Sequence, residues 1–184
     1  IRQGYGQWGR KMQSDIDDAL TTFVDKQYVD GSRTCIVGWS YGGYAALTAS
    51  VASPELYRCV VAINGVSDLE KMLSDEKRQH GNDHWVVSYW DKAMRNGDAN
   101  EQILEQFSPI NFVNNVKAPV LIVAGEYDKV VPVRQSRDMA DELEDADKEV
   151  VYLELEEEGH ALDSNNGSRT KMLVAIEKFL ATHL

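Results

Sequence analysis

The sequence predicts an α/β protein: a mostly parallel sheet with helices on both faces. Two observations carry this. Apolar, β-rich runs recur at 34–37, 59–65, 119–124 and 149–155, and segments with helical spacing separate them. Strands that alternate with helices argue for a parallel sheet. The runs at 59–65 and 119–124 are also apolar almost without interruption, as expected of strands buried on both faces. With 184 residues and 43% hydrophobic content one core is adequate, and no repeat or low-complexity linker divides the chain.

Taken in order, the residues before the first strand read as one helix. Met12, Ile16, Leu20, Phe23 and Val24 recur at helical spacing, with Asp15, Asp17, Asp18 and Lys26 largely on the other side. The strand Thr34–Val37 follows, then Gly38-Trp39-Ser40-Tyr41-Gly42-Gly43, then an Ala-rich helix from Tyr44. A second strand runs from Cys59 to Gly65, and residues 68–115 are polar, helical and irregular. Pro119–Ala124 forms a third strand. A helix after Pro132 and Val133 turns Met139, Ala140 and Leu143 inward. The strand Glu149–Leu155 precedes a last helix with Met172, Leu173, Ile176, Phe179 and Leu180 at 3–4 spacing. Cys35 and Cys59 hold equivalent positions near the starts of two strands; buried free thiols are the expectation, and a disulfide is the alternative that nothing in the sequence indicates.

Chemistry enters at residues 38–43. Strand, G-x-S-x-G, helix is the nucleophile elbow of α/β-hydrolases, which refines the predicted fold to that class. The sharp turn requires a strained backbone at Ser40 with its hydroxyl exposed. Gly38 and Gly42 are expected to flank it because a Cβ on either would collide with the crossing strand and helix. The helix N-terminus behind Ser40 favours an oxyanion, and the backbone N–H of Tyr41 supplies a donor for it. A Gly-rich turn with a capping serine has the same local pattern, so the remainder of the chain has to decide. Asp128 stands in the loop beyond the Pro119–Ala124 strand, and His160 in the loop beyond Glu149–Leu155. Parallel sheets collect chemistry beyond the carboxyl ends of their strands, so Ser40, Asp128 and His160 should meet on one rim in the chain order of this fold. There His160 would take the Ser40 proton, and Asp128 would orient the imidazole.

The stretch Gly4-Tyr5-Gly6-Gln7-Trp8-Gly9, residues Asp15 to Asp18, and Gly38-Trp39-Ser40-Tyr41-Gly42-Gly43-Tyr44 resemble the prolyl oligopeptidase family of serine peptidases. Gly125-x-x-Asp128-x-x-Val131-Pro132 and Glu158-Gly159-His160 match its aspartate and histidine motifs. The resemblance implies hydrolysis of short peptides through an acyl-enzyme, with a carboxylesterase using the same triad as the alternative. It implies a pocket for the residue before the scissile bond, formed by Trp85, Tyr89, Val131 and, less surely, Val66. Trp85, Tyr89 and Trp90 read equally well as packing aromatics. The family's hydrolase domain carries several strands before the nucleophile strand. Residues 1–184 are therefore expected to be the carboxyl-terminal part of one such domain, catalytically incomplete by itself, with its N-terminal strands missing. The edge at 34–39 is then expected to self-associate or to pair with that missing part. A second oxyanion donor, a tyrosine hydroxyl upstream of the elbow, has no match before Ser40.

The net charge of −11 argues against nucleic acid and anionic membrane surfaces as partners. No apolar run approaches membrane-spanning length. His80 and His84 flank Asp83, but Gly81 and Asn82 interrupt a helix there and no third ligand is evident, so no metal is expected. No cofactor is required by the chemistry. The acidic residues 154–158 read as a solvated loop beside His160. Cytoplasm and periplasm both stay open as compartments.

Overall fold

The computed structural model describes residues 2–98, 100, 102–164 and 166–184. Four strands, β1 (Cys35–Trp39), β2 (Cys59–Ile63), β3 (Val120–Gly125) and β4 (Val150–Leu155), lie in that order in one sheet, and every pairing is parallel. Between them run the helices α1 (Lys11–Asp25), α2 (Tyr41–Ala52), α3 (Leu69–His80), α4 (Trp85–Met94), α5 (Ile103–Gln106), α6 (Arg134–Asp145) and α7 (Asn166–His183), with a 3₁₀ segment at Pro109–Asn115. The parallel sheet and its helices bear out the predicted fold.

Alternation along β2 and β3 explains why their sequences are apolar throughout. Val60, Ala62, Val120 and Ile122 face one side, where Ala46, Leu47 and Val51 of α2 and Met139, Ala140 and Leu143 of α6 cover them. Val61, Ile63, Leu121 and Val123 face the other, under Met172 and Phe179 of α7. A strand with helices on both sides has no solvent face to mark with polar residues. A third cluster joins Trp8 and Tyr44 to Leu69, Met72, Val87, Met94 and Ile103, and it seats α3, α4 and α5 beyond the sheet. Asp68 starts α3 by accepting the Lys71 N–H, and Gly81 at φ 84° ends it.

Four expectations need correction. Cys35 and Cys59 are not free thiols: they are register partners on β1 and β2, 4.6 Å apart at Cα, and form a disulfide. Leu173 does not share the inner face of α7, where Met172 and Phe179 are buried; it is exposed. On α1, Phe23 is exposed and the buried residue is Gln13. Asp17 is not part of a solvated face, since Ser53 Oγ and Tyr57 OH both donate to it from the end of α2 and the loop that follows.

β1 is the outer strand on one side, paired only with β2 among the described residues, and Val37 at its middle is 48% exposed.

Candidate active site

The elbow sits where β1 runs into α2. Ser40 has φ 58° and ψ −118°, a left-handed conformation costly for a residue with a Cβ. Its N–H donates to Ile63 O at 2.8 Å, which fixes the turn against the end of β2. The glycines divide the work differently from the sequence expectation. A Cβ on Gly38 would overlap the Gly42 carbonyl, whereas one on Gly42 would meet nothing. The second crowded position is Gly43, whose Cβ would stand 2.7 Å from Gly65 Cα. α2 is thus pressed against β1 at Gly38 and against the end of β2 at Gly43.

Beyond the same ends of β3 and β4 stand the other two polar residues. Asp128 Oδ1 accepts the N–H groups of Val130 and Val131 at 2.8 and 2.9 Å, so the loop fixes the carboxylate before any partner arrives. Its Oδ2 lies 2.7 Å from His160 Nδ1, and His160 Nε2 lies 3.0 Å from Ser40 Oγ. A carboxylate only accepts, so Nδ1 carries the proton and Nε2 of the neutral ring accepts from the serine hydroxyl. Asp128 is buried in this row and His160 is partly open to solvent. Ser40, His160 and Asp128, from three separate loops, therefore form one continuous hydrogen-bonded line. Such a line can move a proton off a hydroxyl and hold the resulting imidazolium.

The histidine loop is seated as firmly. Trp39 Nε1 and Asn64 Nδ2 both donate to His160 O, at 3.1 and 2.8 Å. Gly125 leaves room for it, because a Cβ there would stand 2.6 Å from Gly159 O. The acidic residues beside it are not simply solvated. Glu158 is fully buried and accepts from Ser164 N, and Arg137 grips Glu154 and holds its carboxyl below the usual range. Tyr41, as the first residue of α2, has a backbone N–H that finds no acceptor inside the helix. Its ring stands edge-on to Trp8 at 4.6 Å, and burial pushes its phenol up to about 12.

A cleft of about 570 Å³ opens beside Ser40 and Tyr41, bounded by Tyr5, Trp8, Met12, Tyr89 and Trp90 among others. Tyr89 is thus brought to Ser40. Trp85 is not: it is 72% exposed and stacks toward His84. Val66 and Val131 are buried in the cluster beneath and do not line this cleft. His80 and His84 stack their rings at 4.9 Å, and no group of three metal-ligating side chains occurs among the described residues. No described helix is long and apolar enough to cross a membrane.

The family model for the prolyl oligopeptidase family matches residues 1–184. The chain belongs to the prolyl oligopeptidase family. Within it, the chain is similar to dipeptidyl aminopeptidase BIII of Pseudoxanthomonas mexicana, 30% identical over 182 residues, covering 97% of this chain and 26% of that protein. It is also similar to dipeptidyl peptidase family member 6 of Caenorhabditis elegans, 32% identical over 164 residues, covering 86% of this chain and 22% of that one. An acylaminoacyl peptidase of Pyrococcus horikoshii shares the fold with a TM-score of 0.87 at 22% identity, over 100% of this chain and 29% of that one. The chain spans about a quarter of the length of these two relatives. In this family member the cleft residues Tyr5, Trp8 and Met12 and the anchor Asn64 were not singled out from sequence. Tyr5 and Trp8 lay in the very stretch that carries the family resemblance; Asn64 gave no signal beyond an Asn-Gly pair closing a strand.

Proposed function

We propose that this chain carries the catalytic machinery of a serine peptidase that hydrolyses short peptides through an acyl-enzyme intermediate. The observation that supports it most is the unbroken hydrogen-bonded line from Ser40 through His160 to Asp128. In this reading Ser40 Oγ attacks the scissile carbonyl carbon while its proton passes to His160 Nε2. The oxyanion formed faces the Tyr41 N–H at the start of α2. His160 returns the proton to the departing amine, the C–N bond breaks, and the acyl group stays on Ser40. A water then repeats the sequence, releasing the acid and the free serine. Asp128, already held by two backbone N–H groups, keeps the imidazole tautomer fixed and stabilises its charged form.

The cleft beside Ser40 receives the residue before the scissile bond, with Tyr89 on its wall and Val66 and Val131 supporting it from beneath. Trp85 plays no part in it. Residues 1–184 form the carboxyl-terminal part of a larger hydrolase domain, and β1 pairs there with strands that precede it. The test compares aminoacyl-amide with short-chain ester substrates in the full-length protein. Amide turnover that Ser40→Ala reduces by several orders of magnitude supports the reading. Ester turnover without amide turnover would make it a carboxylesterase with the same machinery, and activity retained in Ser40→Ala would require another nucleophile.

A further inference from the structure

The residue that follows β2 touches the structure around all three members of the line, and this inference rests on the catalytic reading of that line. Asn64 is 1% exposed and has φ 46°, a conformation that Asn tolerates better than most residues. Its backbone N–H donates to Val123 O at 2.8 Å, extending the β2–β3 pairing by one residue. Its side chain then reaches two loops at once. Oδ1 accepts the Gly125 N–H at 2.9 Å, and Nδ2 donates to His160 O at 2.8 Å. The preceding residue, Ile63, accepts the Ser40 N–H.

We propose that Asn64 is a positioning residue that sets where Asp128 and His160 stand relative to Ser40. Gly125 opens the turn that presents Asp128, and Asp128 N–H donates back to Gly125 O at 3.2 Å. His160 O belongs to the same residue as the imidazole, so a shift of that carbonyl moves the ring. The loops come from different strands, 61 and 96 residues away in sequence. No ladder hydrogen bond joins β2 to the histidine loop, because β3 lies between them. A carboxamide is the one short side chain with both a donor and an acceptor in a fixed fork. Asp keeps the acceptor and the left-handed tolerance but loses the donor. Trp39 Nε1, on the same His160 carbonyl, shares the load on the Ser40 side.

The experiment uses the full-length protein, a fluorophosphonate probe and a short-chain ester, with Asn64→Asp and Asn64→Gly as variants. Asn64→Asp should slow labelling of the folded protein by roughly 10- to 100-fold, because misplacement of catalytic groups by about an ångström costs that much. The ester kcat should fall by a similar factor with KM unchanged, since the cleft wall is untouched. Asn64→Gly suits the backbone angle and decides the matter should the Asp variant not fold. Variants that label at the wild-type rate while only their unfolding midpoint falls would assign Asn64 a purely structural role and overturn the inference. Failure of both to fold would do the same. A wild-type protein that does not label at all would instead overturn the catalytic reading itself.

Discussion

Gly38 and Gly42 look interchangeable in G-x-S-x-G, yet only one of them is sterically required here. The Gly38 Cβ position is occupied by the Gly42 carbonyl, and the Gly42 Cβ position is open. Gly38→Ala should therefore disrupt the elbow and abolish serine reactivity. Gly42→Ala should fold normally and gain up to about 1 kcal/mol from helix propensity, read from denaturant unfolding; a collapse of the Gly42 variant would contradict this. The motif, read together with Asp128 and His160, points to Ser40, but which glycine carries the constraint depends on how α2 leans on the strand ends, which the local pattern does not reveal. Glu76 makes a second prediction. It is buried on α3, with Oε2 lacking a hydrogen bond and 3.6 Å from His80 Nε2. Burial first, then Asp75, raises its carboxyl above the ordinary value of 4.5, while His80 and His84 pull it down. The folded chain thus holds that proton more tightly than the unfolded chain. The stability it contributes is complete below the ordinary value and is lost as pH rises through the raised one. Glu76→Gln should flatten the fall of the unfolding midpoint as pH rises above the ordinary carboxyl value of 4.5. Identical pH slopes for the two proteins would sink the argument.

Among the elements, legibility followed the chemistry of burial. β2 and β3 announce themselves because both faces are covered, and α6 because its inner face carries Met139, Ala140 and Leu143. On α7 the spacing includes one residue too many: Leu173 fits it but is exposed. The sequence does not choose between free thiols and a disulfide, because two cysteines 24 residues apart do not by themselves give the register of their strands. Only the parallel pairing of β1 with β2 puts Cys35 opposite Cys59. Loop-closure entropy assigns this bridge about 3 kcal/mol. The protein unfolded without reductant should show no titratable thiol, and the double Cys35→Ser, Cys59→Ser variant should lose stability of that order. Two reactive thiols would show the pair to be open. The cleft beside Ser40 is half legible. Tyr89 follows from the resemblance, whereas Tyr5, Trp8 and Met12, which also bound the cleft, owe their place to packing in the cluster around Tyr44.

At the scale of the molecule, β1, the strand that leads into Ser40, lies at the border of the sheet among the described residues, with Val37 exposed and one row of backbone groups unpaired. Such an edge, apolar and without proline, invites another strand. We expect the isolated chain to associate along β1 unless preceding strands occupy it; a stable monomer by light scattering at moderate salt would contradict that. We propose above all that Ser40 is the nucleophile and that His160 activates it. Its most direct test is mass-spectrometric mapping of the fluorophosphonate adduct on wild-type, Ser40→Ala and His160→Ala proteins. A single adduct is expected on the peptide carrying Ser40, absent from Ser40→Ala and nearly absent from folded His160→Ala. An adduct on another residue, or undiminished labelling without His160, would contradict it.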